Sequence, residues 1–418
     1  MLIQYSVENF KSIKNEIVIN FRADAKYQES DWVCQGLEGE SGIYKCMGFV
    51  GPNASGKTNI IDSVFFALRF IQGTISRKER AVIHIEPFQM DAEYSRQPSC
   101  FEFIFIQNGM KYVYGFSVTR LEVVEEYLLR YVNEQTKPQA LFERNEGHQY
   151  HFYGNDEPTQ QQLAGRTNKN RLYLPVAAEW GYEPVKEAYD WFHLISRQYT
   201  DFNVKFMISS IIADEERKGL FLRELQNADF NIEDMYVKKQ KLDERAIDAI
   251  DRYLNHFLGD LLGGITDLPV VELEREKLDI RIVHKSPYGE AMDISMDRDS
   301  SGTSAVIENI AELLYLAKTG GLMLEDELGI TFHTKLTHHF LKMVQNPAVN
   351  TGNAQLLFST HDTKVLNLLN PDQIYLVDKD QEGATCVKLL DDYELSENED
   401  IELGYLEGRF GRIPYMKG

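Results

Sequence analysis

Gly51-Pro52-Asn53-Ala54-Ser55-Gly56-Lys57-Thr58 fits G-x-x-x-x-G-K-[ST] at every fixed position. Gly51 and Gly56 let backbone N–H groups turn inward around a phosphate. A helix starting near Lys57 aims the positive end of its dipole at the same point. Lys57 then reaches β- and γ-phosphates, and the Thr58 hydroxyl ligates Mg²⁺. The residues from Asn53 through Ala54, Ser55, Gly56, Lys57 and Thr58 to Asn59 are the candidate ATP contacts. The alternative, a chance glycine turn, would not need the flanks this loop has. Residues 43–50 read as a buried strand. After the loop, Ile60, Ile61, Val64, Phe65, Leu68 and Ile71 recur at spacings of three and four, which predicts a helix over 57–72.

Outward from this unit, residues 2–8 and 15–21 read as two strands around a Lys/Asn turn. Residues 101–153 are β-rich: Phe101, Phe103 and Phe105 alternate, as do Tyr112, Tyr114, Phe116 and Val118, with a hairpin turn at Gln107-Asn108-Gly109. Residues 155–170 read as a loop and 180–262 as mostly helical, without a heptad register sustained over several turns. After Gly263-Gly264 the pattern returns to β at 269–274, 278–284 and 290–296, followed by an apolar-striped helix over 303–317 and another helix at 333–344. Short buried strands are expected at 322–324, 356–358 and 374–377. Buried strands alternating with helices predict a parallel sheet covered by helices. The expected organisation is an α/β head in two parts, 1–155 and 265–418, separated by a mainly helical insertion at 156–264.

Three further motifs carry chemistry. Gly321-Leu322-Met323-Leu324-Glu325-Asp326-Glu327 is a short apolar strand ending in acids at the edge where α/β folds bind ligands. Asp326 would hold Mg²⁺ and Glu327 would polarise the attacking water; the plainer alternative is an acidic helix cap. Leu357-Phe358-Ser359-Thr360-His361-Asp362 delivers His361 to the same edge, in reach of a γ-phosphate. Asp299-Ser300-Ser301-Gly302-Thr303 precedes the striped helix, where Ser300 and Gly302 make either an anion site or an ordinary N-cap.

Composition narrows the classes. The 418 residues include 44 Lys and Arg against 65 Asp and Glu, a net charge of −21, opposite to that of a general nucleic-acid coat protein. A local basic groove on such a chain is not excluded, but the short runs at 76–80 and 237–241 read as solvated faces. Cys34, Cys46, Cys100 and Cys386 show no C-x-x-C spacing, so neither a zinc ribbon nor a disulfide framework is expected. Isolated thiols, the lack of a signal-peptide pattern and the lack of a run of about 18 apolar residues predict a cytoplasmic protein without a membrane span.

Taken in order, Gly-Pro-Asn-Ala-Ser-Gly-Lys-Thr-Asn, Ser-x-Gly-Thr at a helix start, Glu-Asp-Glu and Thr-His-Asp resemble the ABC-type heads of RecF, SMC and related ATPases. Leu2 to Lys14, with Glu8-Asn9-Phe10-Lys11-Ser12, is similar to their N-terminal strand and loop. Ser300-Ser301-Gly302-Thr303 departs from the usual Ser-Gly-Gly-Gln of the signature loop. With Tyr405-Leu406-Glu407-Gly408-Arg409-Phe410-Gly411-Arg412-Ile413-Pro414, this narrows the resemblance to the AAA-type, ABC-class ATPases of bacterial anti-phage and abortive-infection systems, the group of RloA and the PARIS ATPase. The helical insertion is only weakly matched.

The resemblance implies an ABC-type P-loop ATPase head with a mixed sheet and a β-rich subdomain, working with ATP and Mg²⁺. It implies a homodimer holding ATP head to tail, or a larger ring, with Ser300 and Gly302 meeting the γ-phosphate held by the other protomer. Lys11 would approach the nucleotide, or else be an exposed lysine; Gln89 would be a Mg²⁺-sensing glutamine; Thr331 and His333 would lie where a dimer-crossing loop is expected. It also implies a separate effector protein, such as a nuclease, and a phage-derived trigger. The rival implication is a RecF/SMC-like DNA-repair clamp, which leaves nucleic acid open as a partner.

Overall fold

A computed structural model describes residues 1–37, 41–131, 137–154, 156–195, 201–228, 230–241, 276–285, 291–330, 333–396 and 399–411. The chain forms two compact units, Met1–Gln198 with Leu316–Gly418, and Tyr199–Tyr315. The expected divisions at 155 and 264 do not coincide with these limits. Residues 157–191 supply three helices to the first unit because their apolar residues, including Tyr173, Leu174, Val185 and Trp191, are buried there.

The first unit is an α/β fold with a mixed five-stranded sheet. Its strand order is Leu322–Glu325, Gln355–Thr360, Cys46–Val50, Ile374–Lys379, Thr385–Leu389. The first four strands run parallel and the last antiparallel. Cys46–Val50 and Gln355–Thr360 are buried along their whole length, as a parallel sheet covered on both faces requires. The expected strand at 43–50 is broken at Lys45. The buried Lys45 ammonium donates to the carbonyls of Asp31 and Gln345.

A seven-stranded antiparallel sheet forms the β-rich part. It runs from Gln149–Phe152 through Gln139–Asn145, Val123–Tyr131, Met110–Val118, Ser99–Gln107 and Leu2–Glu8 to Ile17–Asn20. Asn108 and Gly109 both have positive φ, 48° and 77°, the demand of a two-residue hairpin loop. Phe101, Phe103 and Phe105 point into the core, where Phe105 stacks on Trp191 with ring centroids 4.2 Å apart. Buried Gln355 links the two sheets: its amide accepts from Leu2 N–H and donates to the carbonyls of Leu2 and Tyr44.

In the second unit, helices Asp201–Ile212 and Glu215–Asn227 accompany a three-stranded antiparallel sheet of Ile232–Lys241, Glu276–His284 and Met292–Ser295. The strand at 232–241 corrects the helical expectation for that stretch. Its partner is Glu276–His284, so no local pattern announces the pairing. A second correction is Glu157–Ala164, a helix where a loop was expected; Pro158 stands in its first turn, where proline is tolerated. The expected strand at 269–274 lies outside the described residues.

Candidate nucleotide site

The loop after Cys46–Val50 turns on backbone that favours glycine. Gly56 has φ +107°, and Ala54 takes the left-handed region at +62°. A Cβ at Gly51 would stand 2.1 Å from the Val377 carbonyl oxygen, and one at Gly56 2.0 Å from Thr385 Oγ1. The helix Lys57–Gly73 begins directly after Gly56. Asn53, Ala54 and Thr58 are exposed, whereas Ser55 and Lys57 are buried. The Lys57 ammonium donates to the carbonyls of Gly51 (2.8 Å) and Pro52 (2.9 Å). The buried Ser55 hydroxyl has no hydrogen-bond partner.

The acids stand at the carboxyl end of Leu322–Glu325. Ser359 ties them to the neighbouring strand: its hydroxyl accepts from Glu327 N–H (2.8 Å) and donates to Asp326 Oδ1 (2.5 Å). Glu327 has φ +60°, a conformation that costs a non-glycine residue about 1–3 kcal/mol and persists only where the surroundings enforce it. Leu328 N–H donates to the Ser359 carbonyl, and Thr360 Oγ1 to the Leu328 carbonyl.

Electrostatics link these groups. Burial pushes the Lys57 ammonium below its ordinary range, opposed by Asp326 and Glu327. Burial, then the Lys57 charge, lowers His361, again opposed by Glu327 and Asp326, so its imidazole is neutral at pH 7. Lys57, Asp326, Glu327 and His361 therefore share one edge of the sheet. The hydroxyl of Thr58 and the carboxylate of Asp326 are hard oxygen donors, which suit Mg²⁺.

A second group flanks the loop. Lys11, Ser12, Asn59, Phe88 and Gln89 line a cleft of about 620 Å³. Lys11 has φ +50° and pairs with Asp62 on the loop's helix at 2.6 Å. Asn59 donates to Ser12 Oγ (2.5 Å), which bonds Thr385 Oγ1 (2.7 Å). Thr385 Oγ1 lies 3.3 Å from the Ser55 carbonyl. Gln89 is exposed and donates to the Pro87 carbonyl.

Ser300 and Gly302 belong to the Tyr199–Tyr315 unit. The Ser300 hydroxyl accepts from Thr303 N–H (3.1 Å) and lies 2.7 Å from Thr303 Oγ1, the geometry of an N-cap on helix Ser301–Thr319. Asp299 accepts from Ser300 N–H and contacts His284 Nε2 at 3.2 Å. Thr331 lies outside the described residues, and His333 caps the helix Thr334–Gln345. Sequence reasoning passed over Ser359, Ser12, Asp62 and Thr385. Ser359 and Ser12 stood inside motifs already singled out; Asp62 and Thr385 did not.

Among solved structures, the chain resembles the SMC head domain of Thermotoga maritima (14% identity, covering 94% of this chain and 99% of that one, TM-score 0.39). It also resembles the Smc head domain of Pyrococcus yayanosii with a coiled coil and joint (12%, 98% and 99%, TM-score 0.40). A third is the Pyrococcus furiosus Smc head domain bound to the C-terminal domain of ScpA (13%, 98% and 99%, TM-score 0.33). No curated protein matches. The family model described as "AAA domain, putative AbiEii toxin, Type IV TA system" matches residues 46–367, from the strand before the glycine loop to beyond His361. The chain belongs to this family of ATP-binding AAA-type ATPases.

Proposed function

We propose that the chain is a Mg²⁺-dependent ATP-hydrolysing switch that holds and releases a separate effector in an anti-phage defence system of the abortive-infection type. The observation that carries the hydrolytic part is the meeting of Lys57, Asp326, Glu327 and His361 at one sheet edge. Lys57 exchanges its two loop carbonyls for β- and γ-phosphate oxygens, and Ser55 and the loop N–H groups surround the same phosphates. Thr58 and Asp326 would hold Mg²⁺, with Gln89 as a further candidate donor, and the ion would neutralise charge on the phosphates. Glu327 orients the attacking water, and neutral His361 donates a hydrogen bond to the transferring γ-phosphate. Lys11 and Asn59 face the nucleotide from the flanking cleft.

Two copies complete the site in this reading. Ser300 and Gly302, at a helix N-terminus, close on ATP held by the partner protomer, in a dimer or a larger ring. ATP then joins surfaces that ADP does not, which makes hydrolysis a release step. The family description supports the defence role, and the net charge of −21 weighs against a DNA clamp. No helix among the described residues is long and apolar enough to cross a membrane.

The test is a pull-down of tagged Glu327→Gln protein from its native host with ATP and Mg²⁺. A stoichiometric protein from the neighbouring gene, without nucleic acid, is the expected result. DNA retained in moderate salt with no such protein would replace the effector reading with a clamp.

A further inference from the structure

We infer that Ser359 is the positioning residue that sets the geometry of both acids, orienting the metal-binding carboxylate of Asp326 and the water-orienting Glu327 at once. This rests on the hydrolytic reading of the site. One buried hydroxyl, with no solvent exposure, has two assignments. Its proton goes to Asp326 Oδ1 at 2.5 Å, leaving Oδ2 outside that bond. Its lone pair takes Glu327 N–H at 2.8 Å, among the described residues the one side-chain bond to the backbone of a residue held at φ +60°. A serine hydroxyl has one proton and accepts with the remaining lone pairs, so a single side chain can serve both neighbours.

Inside the turn, Ile330 N–H donates to the Glu327 carbonyl, a bond that reaches neither the Asp326 carboxylate nor the Glu327 N–H. Leu328 N–H is held by the Ser359 carbonyl, a bond that any residue at 359 would offer. Thr360 holds the Leu328 carbonyl and so tethers the far side of the turn, not the acids. The acids are thus positioned by the strand that also delivers His361, two residues after Ser359. Displacing catalytic groups by about 1 Å costs about 100-fold in rate.

The experiment compares Ser359→Ala, Ser359→Thr and Thr360→Ala in the full chain. The first readout is hydrogen exchange of the peptide spanning Leu324–Gly329, without nucleotide. The second is Mn²⁺ binding by electron paramagnetic resonance with a non-hydrolysable ATP analogue. The third is ATP turnover. Ser359→Ala should exchange faster across Glu327, bind Mn²⁺ about tenfold more weakly and lose about 100-fold in kcat, with KM for ATP within threefold. Ser359→Thr, which keeps the hydroxyl, should recover most of all three. Thr360→Ala should lose less than about fivefold in kcat. Exchange and Mn²⁺ binding unchanged in Ser359→Ala, or Thr360→Ala matching it in every readout, overturns the assignment. If the parent chain hydrolyses no ATP, the hydrolytic reading fails by itself, while the exchange readout still decides whether Ser359 holds the turn. Should Ser359→Ala fail to fold, Ser359→Thr alone must show native exchange and Mn²⁺ binding, and loss of either overturns the assignment.

Discussion

Gly56→Ala tests how tightly the phosphate loop is built. The new methyl would sit at φ +107°, where a side chain costs about 1–3 kcal/mol. It would also stand 2.0 Å from Thr385 Oγ1 and 2.9 Å from Thr385 Cγ2. Thr385 is buried, and its hydroxyl serves Ser12 and the Ser55 carbonyl, so turning it away gives up two hydrogen bonds of about 1 kcal/mol each. The sum is about 3–5 kcal/mol. Without nucleotide the loop can relax away from the clash; binding must reverse that relaxation, so most of the strain appears as lost affinity. At 1.4 kcal/mol per tenfold, Kd for ATP should rise at least about 100-fold. Titration with a fluorescent ATP analogue, alongside a thermal melt of the free protein, separates lost binding from lost folding. Thr385→Ala removes the two closest atoms, so the double variant should bind more tightly than Gly56→Ala alone even though Thr385→Ala by itself weakens binding. Gly56→Ala binding ATP within threefold of the parent would refute the cradle geometry.

Glu327→Gln should lose at least about 100-fold in kcat yet retain ATP and accumulate as a dimer or larger ring in light scattering; normal turnover would show that another group orients the water. Specific activity of the parent chain should rise with protein concentration in the dilute range, and constant specific activity down to the monomer would remove the shared-site reading. Arg144 and Glu126 are fully buried; Glu126 also accepts from Tyr173 N–H, Leu174 N–H and the Tyr114 hydroxyl. Arg144→Met should cost about 3–5 kcal/mol in denaturant unfolding by stranding that carboxylate. Burial already raises Glu126 above 4.5, so the folded state binds its proton more readily than the unfolded one. The variant should therefore regain stability as pH falls through the raised native value towards 4.5, and a further loss over that range would contradict the assignment. Burial and the nearby Glu8, Glu125 and Glu16 push the Cys100 thiol up to about 11, so its alkylation, followed by peptide mass spectrometry, should speed up about tenfold per pH unit between about 8 and 10. A plateau below pH 9 would show a less shielded thiol.

The glycine loop was legible because its demands are local: two glycines, a lysine and a hydroxyl within eight residues, between a buried strand and an apolar-striped helix. The acidic strand end and His361 were legible for the same reason, each being a short apolar run followed by polar residues. Thr385 was not, because it meets Ser12 and Ser55 through pairings that span more than 300 residues. Ser359 sat in plain view, but its task follows from the register of Gln355–Thr360 against Leu322–Glu325, which spacing does not encode. The strand Ile232–Lys241 was hidden by its lysine-rich end and by a partner beyond residue 275. The helix Glu157–Ala164 did announce itself, through Asp156 and Pro158, but its Gln-rich composition read as loop.

The strand that carries the phosphate loop, Cys46–Val50, lies between Gln355–Thr360 and Ile374–Lys379. A ribosome adding about 5–20 residues per second needs roughly 15–60 s to travel from the first of these strands to its neighbours. Throughout that interval the nascent chain carries Gly51–Thr58 without the strands that bed it. A polypeptide released early, before residue 379, would carry the glycine motif intact and still lack a nucleotide pocket.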